Sequence, residues 1–128
     1  QALLPLVDPG GRAGAFSMVV SNSLLHHLHD PAVLWRAVAQ LGAPGAFVYI
    51  QDLHRPASAE AVEALVVSQT EGAPEVLRRD YRASLHAAFT LEEVREQLER
   101  AGLGAQLQVA PRQERYLEVW GRLGQAWS

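Results

Sequence analysis

Short apolar runs and one amphipathic segment alternate along the first half of the chain. The runs at residues 15–21 and 46–50 have β-branched or aromatic centres, and their length and flanking glycines favour buried strands over helices. Between them, an Asp-Pro pair precedes a segment whose apolar residues recur on one helical face. We therefore predict parallel, neighbouring strands at residues 16–22 and 46–52, with a right-handed crossover through a helix at 31–41.

Helical periodicity dominates the middle of the chain, from residue 58 to about residue 88. A Gly-Ala-Pro joint at residues 72–74 divides this stretch into two segments, and Ser58 is placed to cap the first one. Val76 and Leu77 fall on the face of the second segment that we expect to be buried. The pattern therefore predicts two consecutive helices between the second strand and the last third of the chain.

A capping box and two alternating runs define the last part of the chain. Thr90 and the glutamate three residues later can satisfy each other's backbone donors, which opens a helix that ends at Gly102. The alternating runs at residues 105–110 and 115–123 predict an antiparallel hairpin. The fold class is therefore α/β: one domain over residues 1–128, with a partial doubly wound, mostly parallel sheet that ends in an antiparallel hairpin.

Composition and charge narrow the possible function classes. With 128 residues, 48% of them hydrophobic and none of them Cys, the chain can bury a core but has no thiolate metal site and no cysteine nucleophile. The net charge is −3 and the basic residues are scattered arginines, which argues against a nucleic-acid partner. No apolar run is long enough for a membrane span and the start lacks a signal peptide's positive region, so we expect a cytoplasmic protein without a membrane partner.

The densest chemical stretch is residues 21–30, directly after the first predicted strand. Three histidines and an aspartate there suggest a metal site, but they lack the spacing of a ligand motif, so we predict no metal and a polar, ligand-facing loop instead. Asn22 at the strand end could equally be a residue that tolerates turn geometry. Asp52 and His54 follow the second strand and could share a crevice with this loop, or form the polar face of a fraying strand.

Two catalytic alternatives find no support in the sequence. A serine hydrolase needs a nucleophile elbow of the G-x-S-x-G type, and the chain has none. A phosphate-binding glycine loop must open a helix, whereas the glycines at residues 10–14 precede a predicted strand. A hydrolase therefore ranks well below the other hypotheses.

Three ordered segments resemble a known enzyme family. Residues 16–31 read FSMVVSNSLLHHLHDP, which is similar to the F-D-x-V-x-S-N-x-x-L-H-H-L pattern of class I S-adenosylmethionine-dependent methyltransferases. Residues 44–53 resemble the family's P-G-G turn and fifth strand, and residues 88–103 resemble its late F-[ST]-x-x-E-[VL]…A-G-[FL] helix. The resemblance covers residues 16 to 122 and implies a Rossmann-like fold.

The departures from this family are as informative as the matches. The family's E/D-x-G-x-G-x-G turn, which cradles the cofactor, and its ribose-binding acidic residue are not found in the 128 residues. Ser17 stands where the family has Asp, and Ala46 replaces the second glycine of the P-G-G turn. Residues 1–5 resemble the tail of the third-strand motif, and the chain starts without Met. We therefore expect the second half of a methyltransferase domain, as a fragment or a naturally short protein.

The resemblance also implies roles for individual residues. The loop after the family's fourth strand touches the methionine portion of S-adenosylmethionine, which carries over to Asn22, Ser23 and His27. The loop after the fifth strand faces the methyl acceptor, which carries over to Asp52, His54 and Arg55. Methyl transfer depends on proximity and in-line alignment more than on acid–base groups, so no catalytic residue is assigned.

Two functions from different classes follow. The first is a truncated methyltransferase-like protein for a small-molecule acceptor, with activity absent or dependent on the missing half, and with weak or no cofactor binding by this chain alone. The alternative is a non-catalytic interaction protein that retains half of the fold.

Under both hypotheses the strand at 16–22 has no lysine, proline or charge to protect it if it lies at a sheet edge. We therefore expect a homodimer through this edge or the adjacent apolar face.

Overall fold

A four-stranded mixed sheet organises the computed structural model, which describes residues 16–124. The resemblance of residues 1–5 to a third-strand motif lies outside these described residues. The strands and helices, with a 3-10 turn at Leu25–His27, are β1 (Phe16–Asn22), α1 (Ala32–Leu41), β2 (Gly42–Leu53), α2 (Ala59–Gln69), α3 (Glu75–Ala87), α4 (Leu91–Arg100), β3 (Leu107–Arg112) and β4 (Tyr116–Arg122).

The sheet order is β1-β2-β4-β3, which places β1 and β3 at the two edges of the described sheet. β1 and β2 are parallel, with Val20 beside Tyr49, as the strand-helix-strand pattern predicted. β4 is antiparallel to both β2 and β3, which confirms the final hairpin. The α/β class is therefore confirmed, and among the described strands one pairing is parallel and two are antiparallel.

The start of β2 differs from the prediction. The strand begins at Gly42 instead of residue 46, because Gly42 pairs with Phe16 across an irregularity in the β1 register. Gly45, where the sequence indicated a turn, lies inside this irregular stretch with a φ of +83°. A side chain is strained in that conformation and glycine is not, so the local bend is accommodated within the strand.

The main core lies on one face of the sheet, under α1 and α4. Alternate strand residues such as Val48, Ile50 and Val119 point toward this face and are fully buried. Trp35 of α1 is also buried, and its indole N–H donates to the Gln97 side chain of α4 over 3.0 Å. The two helices are thus joined to each other as well as to the sheet.

The opposite face is much less covered in the described residues. Its central positions are apolar or aromatic and are half-buried or exposed: Met18, Val20, Phe47, Tyr49 and Trp120. We call these five residues the open face. A sheet with helices on both faces would bury these positions, so the open face is an unusual apolar surface for this fold class.

The helical pair α2–α3 forms a second, smaller core at the carboxyl end of β2. Ser58 caps α2 by accepting the N–H of Ala61 over 3.0 Å, and Leu85 of α3 is fully buried in this cluster. The expectation that Val76 and Leu77 are buried is wrong, since they are 50% and 55% exposed. Leu85, the one buried residue of α3, lies in the second half of the helix, and the first turn is exposed in the described structure.

Candidate functional site

Polar side chains gather where β1 and β2 end, at the carboxyl edge of the parallel pair. Open α/β sheets bind their ligands at this edge, so we expect a functional site of this chain to lie here. The candidate residues fall into three places: a buried carboxylate beneath the loop after β1, exposed polar groups on that loop, and a cavity beside α2.

The buried carboxylate is Asp52, which is 1% exposed. Its oxygens accept the backbone N–H of Leu25 over 2.7 Å and that of Leu53 over 2.9 Å. The ring Nδ1 of His26, also buried, lies 2.6 Å from Asp52 Oδ1. Asp52 therefore fastens the 3-10 turn at Leu25–His27 to the end of β2.

The exposed groups at the last residue of β1 and on the loop after it belong to Asn22, Ser23 and His27. Ser23 has a φ of +63°, a conformation that non-glycine residues rarely adopt and that is frequent at functional sites. Its N–H donates to the carbonyl of Gln51 over 2.9 Å and its hydroxyl to Asn22 Oδ1 over 3.1 Å. The His27 ring packs against His26, with 3.9 Å between centroids. The three predicted cofactor-side residues are thus brought to one loop.

A cavity of about 810 Å³ opens beside α2, next to the end of β2. His54 and Arg55 line it together with five small or apolar residues and three polar ones: Pro56, Ala57, Ala61, Ala64, Leu65, Ser68, Thr90 and Glu114. Its volume lies within the range of about 300–1,000 Å³ that is typical of small-molecule sites. Two of the three predicted acceptor-side residues therefore line one cavity, whereas Asp52 does not.

Burial and ion pairing shift the pKa values of polar groups at this cavity. Partial burial lowers the pKa of His54 below its usual value, so the neutral ring is favoured. The Arg55 guanidinium lies 3.0 Å from Glu93 Oε2, and Glu93 also accepts the N–H of Thr90 in the capping box of α4. The Thr90 backbone N–H, with Arg55 adding to it, lowers the pKa of Glu93. The cavity therefore offers a neutral imidazole and a paired guanidinium.

The side chains at this edge of the sheet determine which cofactor or metal could bind there. Within residues 16–124, no three His, Asp or Glu side chains are grouped as metal ligands require. The amide and hydroxyl groups of Asn22 and Ser23 suit the polar methionine end of S-adenosylmethionine. The glycine-rich turn, which in the resembled family cradles the methionine end, and the acidic residue that holds the ribose have no counterpart in the sequence. The residues present therefore supply only part of the contacts that the resemblance assigns to that cofactor.

Several functional contacts escaped the sequence reasoning. His26 is one of three histidines within residues 26–29, and nothing local distinguishes it as the partner of an aspartate 26 residues away. Ser68, Thr90 and Glu114 line the cavity from three separate segments. The one available signal was Asp52 itself, a carboxylate next to a buried apolar strand, because such a group needs nearby donors. Its assignment to the acceptor stays a prediction.

Comparison with solved structures identifies the fold. A SAM-dependent methyltransferase from Aquifex aeolicus matches 87% of this chain and 47% of its own, with a TM-score of 0.54 and 15% identity. An arsenic (III) S-adenosylmethionine methyltransferase from Chlamydomonas reinhardtii matches 97% and 42%, with a TM-score of 0.55 and 19% identity. The plantazolicin methyltransferase BpumL, in complex with SAH, matches 93% and 56%, with a TM-score of 0.61 and 13% identity.

These similarities show a class I methyltransferase-like fold over most of the chain. The chain spans 42–56% of the length of these three structures, which is about half. No protein-family profile and no curated protein sequence matches it. No helix within residues 16–124 has the length and apolar character of a membrane span.

Proposed function

We propose that this chain, with its class I methyltransferase-like fold, supplies the acceptor side of an S-adenosylmethionine-dependent methyl transfer to a small organic molecule. The observation that carries this proposal is the cavity at the carboxyl end of β2, with His54 and Arg55 on its wall. The cavity lies where the family resemblance assigns the methyl acceptor. Its size and largely apolar lining suit a small organic molecule, with a few polar groups to orient it.

The loop after β1 provides the second part of the proposal. Asn22, Ser23 and His27 are the groups that would face the methionine portion of the cofactor. Asp52 ties this loop to the end of β2, and the chain continues directly from there to His54 and Arg55. Cofactor side and acceptor side are therefore held at a fixed distance, which is what a transfer reaction governed by proximity requires.

The chain alone is expected to bind the cofactor weakly or not at all. Its 128 residues contain no glycine-rich turn of the E/D-x-G-x-G type. Most polar contacts to the cofactor therefore have no counterpart in this chain. Activity would depend on a polypeptide that supplies those contacts, and we derive no methyl-transfer step from the groups present.

A second candidate function is favoured by a different observation. The open face and the exposed side chains of β1 form an apolar surface that an enzyme half would cover and that a binding module could use. In that case the chain is a non-catalytic interaction protein, and the loop after β1 has no small-molecule ligand.

The experiment that separates these functions is an amide NMR titration of the ¹⁵N-labelled 128-residue chain. S-adenosylhomocysteine, methionine and adenosine are added separately at millimolar concentrations. We expect S-adenosylhomocysteine and methionine to shift the amides of Asn22, Ser23 and His27, because the groups present fit that end of the cofactor. Adenosine should leave these amides unchanged.

Matched variants sharpen the result. Asn22→Ala removes the amide at the loop and should abolish the methionine-dependent shifts, whereas Ser17→Ala, an exposed change near the other end of β1, should not. Ser23→Gly removes the hydroxyl while tolerating the positive φ. Shifts caused by adenosine alone would contradict the cofactor-side assignment, and no shift at this loop with any of the three ligands would favour the second function.

A further inference from the structure

The two edges of the described sheet differ in their protection. β3 carries Pro111 and Arg112 near its end, and a proline and a charge on an edge strand discourage pairing with another chain. β1 is seven residues long and contains no proline and no charged residue. Within residues 16–124 no strand pairs with its outer edge, which therefore offers backbone N–H and C=O groups with none of the usual protection.

The side chains of β1 add an apolar surface to this edge. Met18 and Val20 are 57% and 54% exposed, and Phe16 is on the same side of the strand. These residues continue sideways into Phe47 and Tyr49 of β2 through the parallel register. Edge and open face thus form one continuous surface.

We propose that a second copy of this chain pairs with β1, antiparallel and about a two-fold axis that passes between the two copies of Val19. The reason is the sequence of the strand, whose central five residues, Ser-Met-Val-Val-Ser, are nearly symmetric about Val19. A two-fold interface places residue i against residue j and j against i, so a strand that pairs with its own copy must be self-complementary.

The register about Val19 satisfies this condition at residues 17–21, whereas at the ends of the strand it sets Phe16 opposite Asn22. Met18 of one copy lies opposite Val20 of the other, on the side of the open face, and the two apolar side chains cover each other. Ser17 lies opposite Ser21 on the other side, where paired hydroxyl groups can hydrogen-bond. The result is a continuous eight-stranded sheet in which the apolar surfaces of both copies adjoin.

The first test is the oligomeric state of the 128-residue chain by light scattering and sedimentation. We expect a dimer for the wild type and monomers for Met18→Lys and Val20→Glu. Each change introduces two like charges near the axis and removes apolar burial, which raises the dimer Kd by about tenfold or more. Val67→Lys is the matched control, since Val67 of α2 is similarly exposed and lies away from the edge, so it should leave the dimer intact.

The second test addresses the register. In a mixture of Met18→Lys and Val20→Glu chains, the lysine of one copy lies directly opposite the glutamate of the other, so the mixture should form a heterodimer although neither variant dimerises alone. Urea unfolding of each single variant checks that it is folded, so that loss of the dimer is not mistaken for loss of the fold. A monomeric wild type, or a dimer that survives Met18→Lys, contradicts the proposal.

Amide exchange of β1 identifies what occupies the edge if the wild type is monomeric. Fast exchange at the free-edge amides means that the edge is open, and slow exchange means that another part of the chain pairs with it. Both results overturn the proposal. Slow exchange in the wild type that becomes fast in Met18→Lys supports it.

Discussion

Replacement of Asp52 by Ala tests whether this carboxylate fastens the loop after β1. The side chain is 1% exposed and accepts from the N–H groups of Leu25 and Leu53, with the His26 ring nitrogen 2.6 Å away. Its removal leaves these buried groups without an acceptor. Each unsatisfied buried donor costs about 1–3 kcal/mol, and Asp52 accepts from at least two backbone N–H groups.

We expect Asp52→Ala to lower the free energy of unfolding by about 3–5 kcal/mol, because several buried donors lose their acceptor together. This loss is a large fraction of the roughly 5–15 kcal/mol of a typical domain. With a urea slope of about 2 kcal/mol/M, the unfolding midpoint falls by about 2 M. Asp52→Asn keeps the shape and one acceptor oxygen, so its loss should be smaller, about 1–3 kcal/mol.

The control is Asp80→Ala, an exposed aspartate on α3, which should change the free energy of unfolding by no more than about 0.5 kcal/mol. Circular dichroism in urea measures all three variants. In Asp52→Asn, the amide of Leu25 should exchange faster with solvent than in the wild type, because its hydrogen bond is weakened. A loss for Asp52→Ala as small as that for Asp80→Ala would refute the anchoring role.

Three further predictions concern single groups. Thr90→Ala removes the capping box of α4 and should lower the free energy of unfolding in urea by about 0.5–2 kcal/mol, whereas Thr90→Ser should retain most of it. The phenol of Tyr49 donates to Glu118 over 2.6 Å, which raises the pKa of Tyr49 above 10.0, so Glu118→Gln should lower the pKa measured by ultraviolet titration. The stability from this bond is complete below pH 10.0 and is lost as pH rises through the higher folded-state pKa. The His54 ring should titrate below pH 6.5 by NMR, because burial lowers its pKa. The stability that depends on its neutral form is complete above pH 6.5 and is lost as pH falls through the depressed pKa. A titration at or above pH 6.5 would contradict its burial.

Local sequence patterns were sufficient to predict an element wherever that element depends on residues that are neighbours in the chain. The apolar run of β1 and the capping box at Thr90 are formed by neighbours in the chain, and both were predicted correctly. The early start of β2 at Gly42 depends on Phe16, and the exposure of Leu77 depends on what lies beside α3. Neither dependence is visible in a local pattern, because both arise from tertiary packing.

In the candidate site, too, some features follow from local sequence patterns and others only from tertiary packing. Its position at the strand ends, with His54 and Arg55 together, could be predicted because parallel strands place their carboxyl ends at one edge. The pairing of Asp52 with His26 could not, since it joins two segments 26 residues apart. The residues that α2 and Thr90 contribute to the cavity wall depend on how the helices pack on the sheet.

We propose that this chain carries the acceptor side of a methyltransferase-like site and only part of the cofactor site. Calorimetric titration of the 128-residue chain with S-adenosylmethionine is the sharpest test of this proposal. We expect no saturable heat at micromolar ligand, because the glycine-rich turn and the ribose-binding acidic residue of the resembled family have no counterpart in the sequence. Stoichiometric binding with a micromolar Kd would contradict it.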